Sequence, residues 1–217
     1  MLRMGRKYEV PRLFEEAVRR LKFCFPTTLR GLDAFRAAKI LPIQNVWDGD
    51  VLFKIINTIQ GSEFEPELDY LLPSAFFACT LLDNKTLLKA ARDDAMTINF
   101  LDAVFGGRQR LTSAFLREDQ LFAGEDLPRC VQWGLNCQTT PALHQTIKGV
   151  FVKVLTANDP FIELERFLRD EGARNGGICT LCVADIVARY NRGRAEVWKT
   201  LPSLFGLEIA EGWPRTA

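Results

Sequence analysis

Histidine is almost missing from this chain: His144 is the only one among 217 residues. A single imidazole excludes metal centres built on several histidines and leaves little material for a histidine-based catalytic triad. An excess of charge is missing as well. Lys plus Arg number 28 and Asp plus Glu 27, a formal net charge of +1, whereas dedicated nucleic-acid binders usually carry a clearly basic face. Long apolar runs are absent too. The longest nearly apolar stretch, Leu71 to Leu82, contains Pro73, Ser74 and Thr80 and falls well short of the roughly 20 residues that span a bilayer. The basic opening Met1 to Lys7 runs directly into Tyr8-Glu9-Val10-Pro11 without an apolar segment, so no secretory signal is expected. In the soluble, intracellular setting this implies (cytoplasm or nucleus), the six cysteines are free thiols or metal ligands sooner than a disulfide framework.

What is present is an ordinary globular composition, 47% hydrophobic and 25% charged, long enough for one well-buried domain or two small ones. Its periodicity is helical. Leu13, Ala17 and Leu21 recur beside Phe14 and Val18 over 11–22, with Pro11 suited to a first helical turn. Glu15 with Arg19 and Glu16 with Arg20 stand acid-first and four apart, the favourable order for ion pairs on a helix. Pro26 stops this helix, and a shorter one is expected over 28–38. Pro42, Asn45, Trp47 and Gly49 mark a loop, followed by a helix over 50–59 through Val51, Ile55 and Ile59. Leu72, Ala75, Phe76, Cys79 and Leu82 form the next stripe. A helix over 99–115 has an expected weak point at Gly106-Gly107, and 119–140 is irregular. Thr140 suits an N-cap for a helix through Leu143, Ile147, Val150 and Val154. Asn158-Asp159-Pro160 ends that helix and caps another with Phe161, Leu164, Phe167 and Leu168 inward. The last long helix runs from about Cys179 to Leu201, with Cys182, Ile186, Tyr190, Val197 and Leu201 on one face. No segment alternates with a period of two, so the expected class is all-α, an irregular multi-helix bundle.

The sharpest chemical motif is Cys179-Thr180-Leu181-Cys182, whose two thiols have the spacing of half a tetrahedral zinc site. Cys130 and Cys137 lie upstream with His144 beyond them. Four thiolates from Cys130, Cys137, Cys179 and Cys182, or three with His144, would pin an irregular segment onto the last helix. Against this, six residues separate Cys130 from Cys137, more than the usual two to four, and Cys182 shares an apolar stripe that suits a buried thiol. Gly106-Gly107-Arg108 lacks both the Lys-Ser/Thr ending and the preceding strand of a phosphate loop; it reads as a helix break with solvated Arg108 and Arg110. Arg189, Arg192 and Arg194 around Tyr190 read as the wet side of a helix whose aromatic is core. No convergent nucleophile and base emerge, and no enzymatic activity is assigned.

Longer motifs carry a family resemblance. Leu2-Arg3-Met4-Gly5-Arg6-Lys7-Tyr8-Glu9-Val10-Pro11-Arg12-Leu13, the amphipathic segment after it, and Phe25-Pro26-Thr27-Thr28-Leu29 resemble the end of a BTB/POZ domain. There a Lys-Tyr-x-Val-x-x-Leu helix leads out of the fold. Leu72-Pro73-Ser74-Ala75-Phe76-Phe77-Ala78-Cys79, Gly107-Arg108-Gln109-Arg110-Leu111, the Cys-x-x-Cys and the ending Gly193 to Leu207 are similar to the region after the BTB fold in basidiomycete fungal proteins. The resemblance implies that 1–39 are terminal helices of a BTB-like domain whose β-sheet core is missing, and that 40–217 are a BACK-like helical region. It also implies a non-enzymatic adaptor or scaffold that binds protein partners. The strands and loops that dimerise and dock cullin would precede Met1, so no contact residue is carried over, and the chain is expected to be a fragment or a shortened protein. The tail Glu208 to Trp213 departs from the family's Pro-Trp ending. The alternative is a zinc-stabilised helical domain that binds nucleic acid. Self-association is expected if apolar residues on two faces of helix 11–22 stay uncovered.

Overall fold

A computed structural model describes residues 1–61, 68–93, 96–117, 149, 159–162, 164–165, 180–208 and 213. Among these there is no strand, and the chain is all-α as expected. The helices are α1 (Leu2–Lys7), α2 (Pro11–Cys24), α3 (Leu29–Ala37), α4 (Gly49–Gln60), α5 (Leu72–Thr80, entered through a 3-10 turn at Asp69–Leu71), α6 (Asn84–Arg92), α7 (Ile98–Arg117), α8 (Thr180–Lys199) and α9 (Leu201–Leu204). Their starts follow local chemistry. Thr28 accepts the Gly31 N–H at 3.0 Å, Asp48 accepts the Asp50 N–H at 3.1 Å and Asp83 accepts the Thr86 N–H at 2.7 Å, each satisfying a donor that the first turn leaves without an intrahelical partner. Pro11, Pro73 and Pro202 occupy first turns, where a missing N–H costs nothing.

The chain divides into two compact units, Met1–Arg108 with Trp198–Ala217, and Gln109–Val197. In the first unit α5 is the centre. Every residue of Leu72–Thr80 is buried, so this helix is apolar all round, as a fully enclosed one must be. The Phe76 ring meets Phe100 and Phe205 edge-on, with centroids 4.8 and 5.7 Å away, and Phe77 meets Trp47 and Trp198 at 6.4 and 6.2 Å. Polar groups that this packing buries are returned to backbone carbonyls. Ser74 Oγ donates to Pro26, Trp198 Nε1 to Thr27 at 3.0 Å and Trp213 Nε1 to Trp198 at 3.1 Å. The first two bonds fasten the turn between α2 and α3 to α5 and to the end of α8, across a sequence separation of 171 residues for Trp198.

Three local expectations are corrected here. Gly106-Gly107 does not break α7, which runs unbroken from Ile98 to Arg117. Gly107 is instead a contact point: a Cβ built there would lie 2.2 Å from Phe205 Cδ1, so only glycine admits the ring. Arg108 is half-buried and bonded within the fold, not a free surface charge. Its guanidinium donates to Asn84 Oδ1 at 2.6 Å and to the Leu82 carbonyl at 2.7 Å, tying α7 to the start of α6. Finally, Arg19 turns to Glu16, at 2.7 Å, and not to Glu15, while Arg20 pairs with Glu16 at 2.8 Å as expected.

In the second unit the described core gathers on α8. Ile186, Tyr190 and Val197 are buried along the expected face. Arg194 lies on that face too, only 4% exposed, which overturns its reading as a wet side chain. It donates to the Phe161 carbonyl at 2.9 Å and to Asn191 Oδ1 at 3.1 Å, with its guanidinium 5.8 Å from the Tyr190 ring centre. The Tyr190 hydroxyl shares its hydrogen between the carbonyls of Pro160 at 2.9 Å and Ile162 at 3.1 Å. Asp159 Oδ1 accepts the Phe161 N–H at 2.9 Å. This bond closes a turn and does not cap a helix through Phe161, since 160–161 form a turn and the next described helical residues are 164–165. Phe161 and Leu164 are buried as anticipated.

Candidate functional site

The helix α4 holds more apolar side chains than one face can bury. Leu52, Phe53, Ile56 and Ile59 go into the core. Val51, Ile55 and Thr58 follow one another at four and three residues along another stripe and remain half-exposed. Opposite that stripe stand α1 and α2, which pack closely because Gly5 carries no Cβ: one built there would lie 2.8 Å from the Phe14 backbone nitrogen. Between the α1–α2 pair and α4 a groove of about 450 Å³ remains, within the size range of ligand sites. Leu2, Ala17, Leu21, Ile43, Val51 and Ile55 give it an apolar lining.

The charged members of that lining all have one sign. Arg3, Arg20 and Lys54 stand along it, with no carboxylate among the described lining residues, in a chain whose total charge is nearly balanced. Arg20 is held by Glu16, whose carboxyl is pulled down to about 2 by hydrogen bonds from Arg19 and then Arg20. Arg3 and Lys54 make no ion pair among the described residues. Large apolar side chains are exposed in and beside the groove: Met1, which lines it, and Met4, Tyr8 and Val10 around α1 are between 42% and 62% exposed. The covering of helix 11–22 is therefore partial: α1 lies on it, Ala17, Leu21 and Cys24 are buried, and the outer side of α1 is left open.

Two other clefts have different chemistry. One, of about 440 Å³, lies between α4 and α6 and mixes Asp48, Asp50 and Asp93 with Lys54 and Lys89, so its charges offset one another. The other, of about 620 Å³, lies along α8 in the second unit beside Val183, Ala184, Val187 and Ala188.

The zinc candidates divide. Cys130, Cys137, Cys179 and His144 lie outside the described residues, and Cys182 falls within α8, its side chain likewise outside them. Among the described residues no group of three or more His, Cys, Asp or Glu side chains is placed to hold a metal ion. Cys24 and Cys79 are described, and both are buried free thiols. Burial pushes the Cys24 thiol up to about 11 and the Cys79 thiol well above its usual value, the latter despite the nearby Arg108 guanidinium. Neither is a nucleophile at neutral pH, since the thiolate is the reactive form. Arg108 is held below its ordinary value by burial, and its Nε has no hydrogen-bond partner among the described residues. No described helix is long and apolar enough to cross a membrane.

No family model matches this chain, and neither a curated protein nor a solved structure matches it. The groove was not singled out in the sequence. The signal for it was there in part, as a helix over 49–60 with apolar residues on more sides than a surface helix needs.

Proposed function

We propose that this chain is a non-enzymatic protein–protein interaction module that seats a segment of a partner protein in the groove between α1–α2 and α4, as part of a BTB-type adaptor or scaffold within the cell. One observation carries the reading: the Val51–Ile55 stripe of α4 faces Leu2, Ala17 and Leu21 across an open, apolar groove. Apolar surface of this kind is usually covered by a partner. The non-enzymatic part rests on how buried polar groups are used. Ser74, Thr80, Tyr190 and Arg194 all donate to backbone carbonyls within the fold, which is structural work. The adaptor part rests on motifs that resemble the helical region after fungal BTB domains. The intracellular setting is supported by Cys24 and Cys79, free thiols of the kind a reducing compartment keeps unpaired.

The test is site-specific photo-crosslinking in the protein's own cells. With the crosslinking residue at Thr58, in the groove, the full chain is expected to capture a discrete protein. With the residue at the exposed Asp102 of α7 it is not. Ile55→Arg should abolish the Thr58 capture while leaving the helical circular-dichroism signal intact. Equal capture from both positions, or capture that survives Ile55→Arg, would contradict the reading.

A further inference from the structure

We infer that the occupant of this groove is an acidic amphipathic helix, an inference that rests on the interaction reading above and narrows it to one ligand chemistry. Three observations support it. The first is sign: Arg3, Arg20 and Lys54 bring three cations to the lining, with no carboxylate among the described lining residues. Arg3 has no intramolecular ion pair among the described residues, so its charge is available to a partner; Lys54 also borders the α4–α6 cleft beside Asp48 and Asp50 and adds a smaller share. Arg20 already shares Glu16 with Arg19 and adds less. Charges arranged this way set partner choice and encounter rate more than raw affinity.

The second is shape. An extended peptide that binds by strand addition needs a sheet edge, and the described residues contain no strand to offer one. A groove walled by helices takes a helix, which inserts residues spaced i, i+3 or i+4, and i+7. The lining stripe Val51, Ile55 and Thr58 has the same spacing, so two such faces mesh. The third is the pattern of burial. Leu21 and Ala17 form a closed floor at 4% and 6% exposure, whereas Arg3 and Lys54 are exposed. An apolar anchor therefore meets the floor while flanking carboxylates meet the cations at the edge. A partner with a basic amphipathic helix would place like charges against Arg3 and Lys54.

The experiment uses the full chain and two synthetic helical peptides sharing the same leucine anchors, one with glutamates and one with lysines on its polar face. Fluorescence anisotropy should show the glutamate peptide binding at least about tenfold tighter than the lysine peptide. The preference should shrink when NaCl is raised from about 0.05 M to about 0.5 M, because exposed charges are screened. Arg3→Glu with Lys54→Glu should reverse it, and Val51→Arg should abolish binding of both peptides. Equal affinity for the two peptides, or a preference untouched by Arg3→Glu with Lys54→Glu, would overturn the inference. The interaction reading fails separately, if Thr58 crosslinking in cells captures nothing that Ile55→Arg removes. A discrete dimer in light scattering that Ile55→Arg dissociates would also overturn the inference, since the occupant would then be a second copy of this chain.

Discussion

Replacing Gly107 by alanine sets two opposing effects against each other. Alanine in a helix interior is favoured over glycine by about 1 kcal/mol, and Gly107 lies well inside α7. On propensity alone the substitution stabilises. The added methyl, however, would lie 2.2 Å from Phe205 Cδ1 and 2.3 Å from its Cε1, more than 1 Å inside ordinary carbon–carbon contact. The ring has little freedom to retreat: Phe205 is 2% exposed, and its centroid is 5.7 Å from that of Phe76. Forcing a methyl into a packed core costs about 1–3 kcal/mol, and a clash this deep belongs at the upper end. The expected net loss is about 1–2 kcal/mol. At a urea dependence of about 2 kcal/mol per molar, the unfolding midpoint should fall by about 0.5–1 M. Phe205→Ala alone should cost more, about 3–5 kcal/mol. In the double variant the alanine methyl enters space the ring has vacated, so Gly107→Ala should turn neutral or stabilising on that background, a clear departure from additivity. Urea unfolding of the four proteins by circular dichroism reads all of this. A rise in midpoint for Gly107→Ala alone would refute the packing of Phe205 on α7.

Other consequences follow from single bonds and thiols. Thr28→Ala removes the side-chain acceptor of the Gly31 N–H and should lower stability by about 1 kcal/mol in urea unfolding, with Thr28→Ser close to the parent. Tyr190→Phe deletes the hydroxyl that bonds Pro160 and Ile162. It should cost about 1–2 kcal/mol, and an unchanged midpoint would show that those carbonyls do not depend on it. The Cys24 pKa is raised by folding, from an ordinary 9.0 to about 11. Its contribution is therefore complete below pH 9 and lost as pH rises towards 11, because the unfolded thiol ionises first. Stability should fall across that interval, and less steeply in Cys24→Ala. At pH 8 iodoacetamide should label Cys24 and Cys79 only after denaturation, as read by peptide mass spectrometry; labelling of either in the folded protein would contradict their burial.

The fold class was legible because the apolar spacing is helical wherever it is regular. α2, α3, α4 and α8 follow from it to within one or two residues at each end. α1 was not visible: Leu2–Lys7 has only Gly5 buried, and a glycine that lets two helices touch looks the same in sequence as one that breaks a helix. The same ambiguity misled at Gly107, whose partner Phe205 is almost a hundred residues away in the chain. α6 buries only Leu87 and Ala90, too thin a stripe to stand out. Arg194 was misassigned because charge usually marks the solvent side, whereas here the Phe161 carbonyl supplies the acceptor that lets a guanidinium be buried. Val51, Ile55 and Ile59 revealed α4 as a helix but not its buried face. Ile59 is core while Val51 and Ile55 line the groove, a distinction set by where α1 and α2 pack.

The most direct measurement of the central claim is hydrogen exchange on the complex isolated from the protein's own cells, compared with the free chain. Docking in the groove predicts slower exchange confined to Leu2–Lys7, to the second half of α2 and to the α4 amides over 51–58. Protection concentrated instead on α6 or α8, with α4 exchanging as in the free protein, would contradict it.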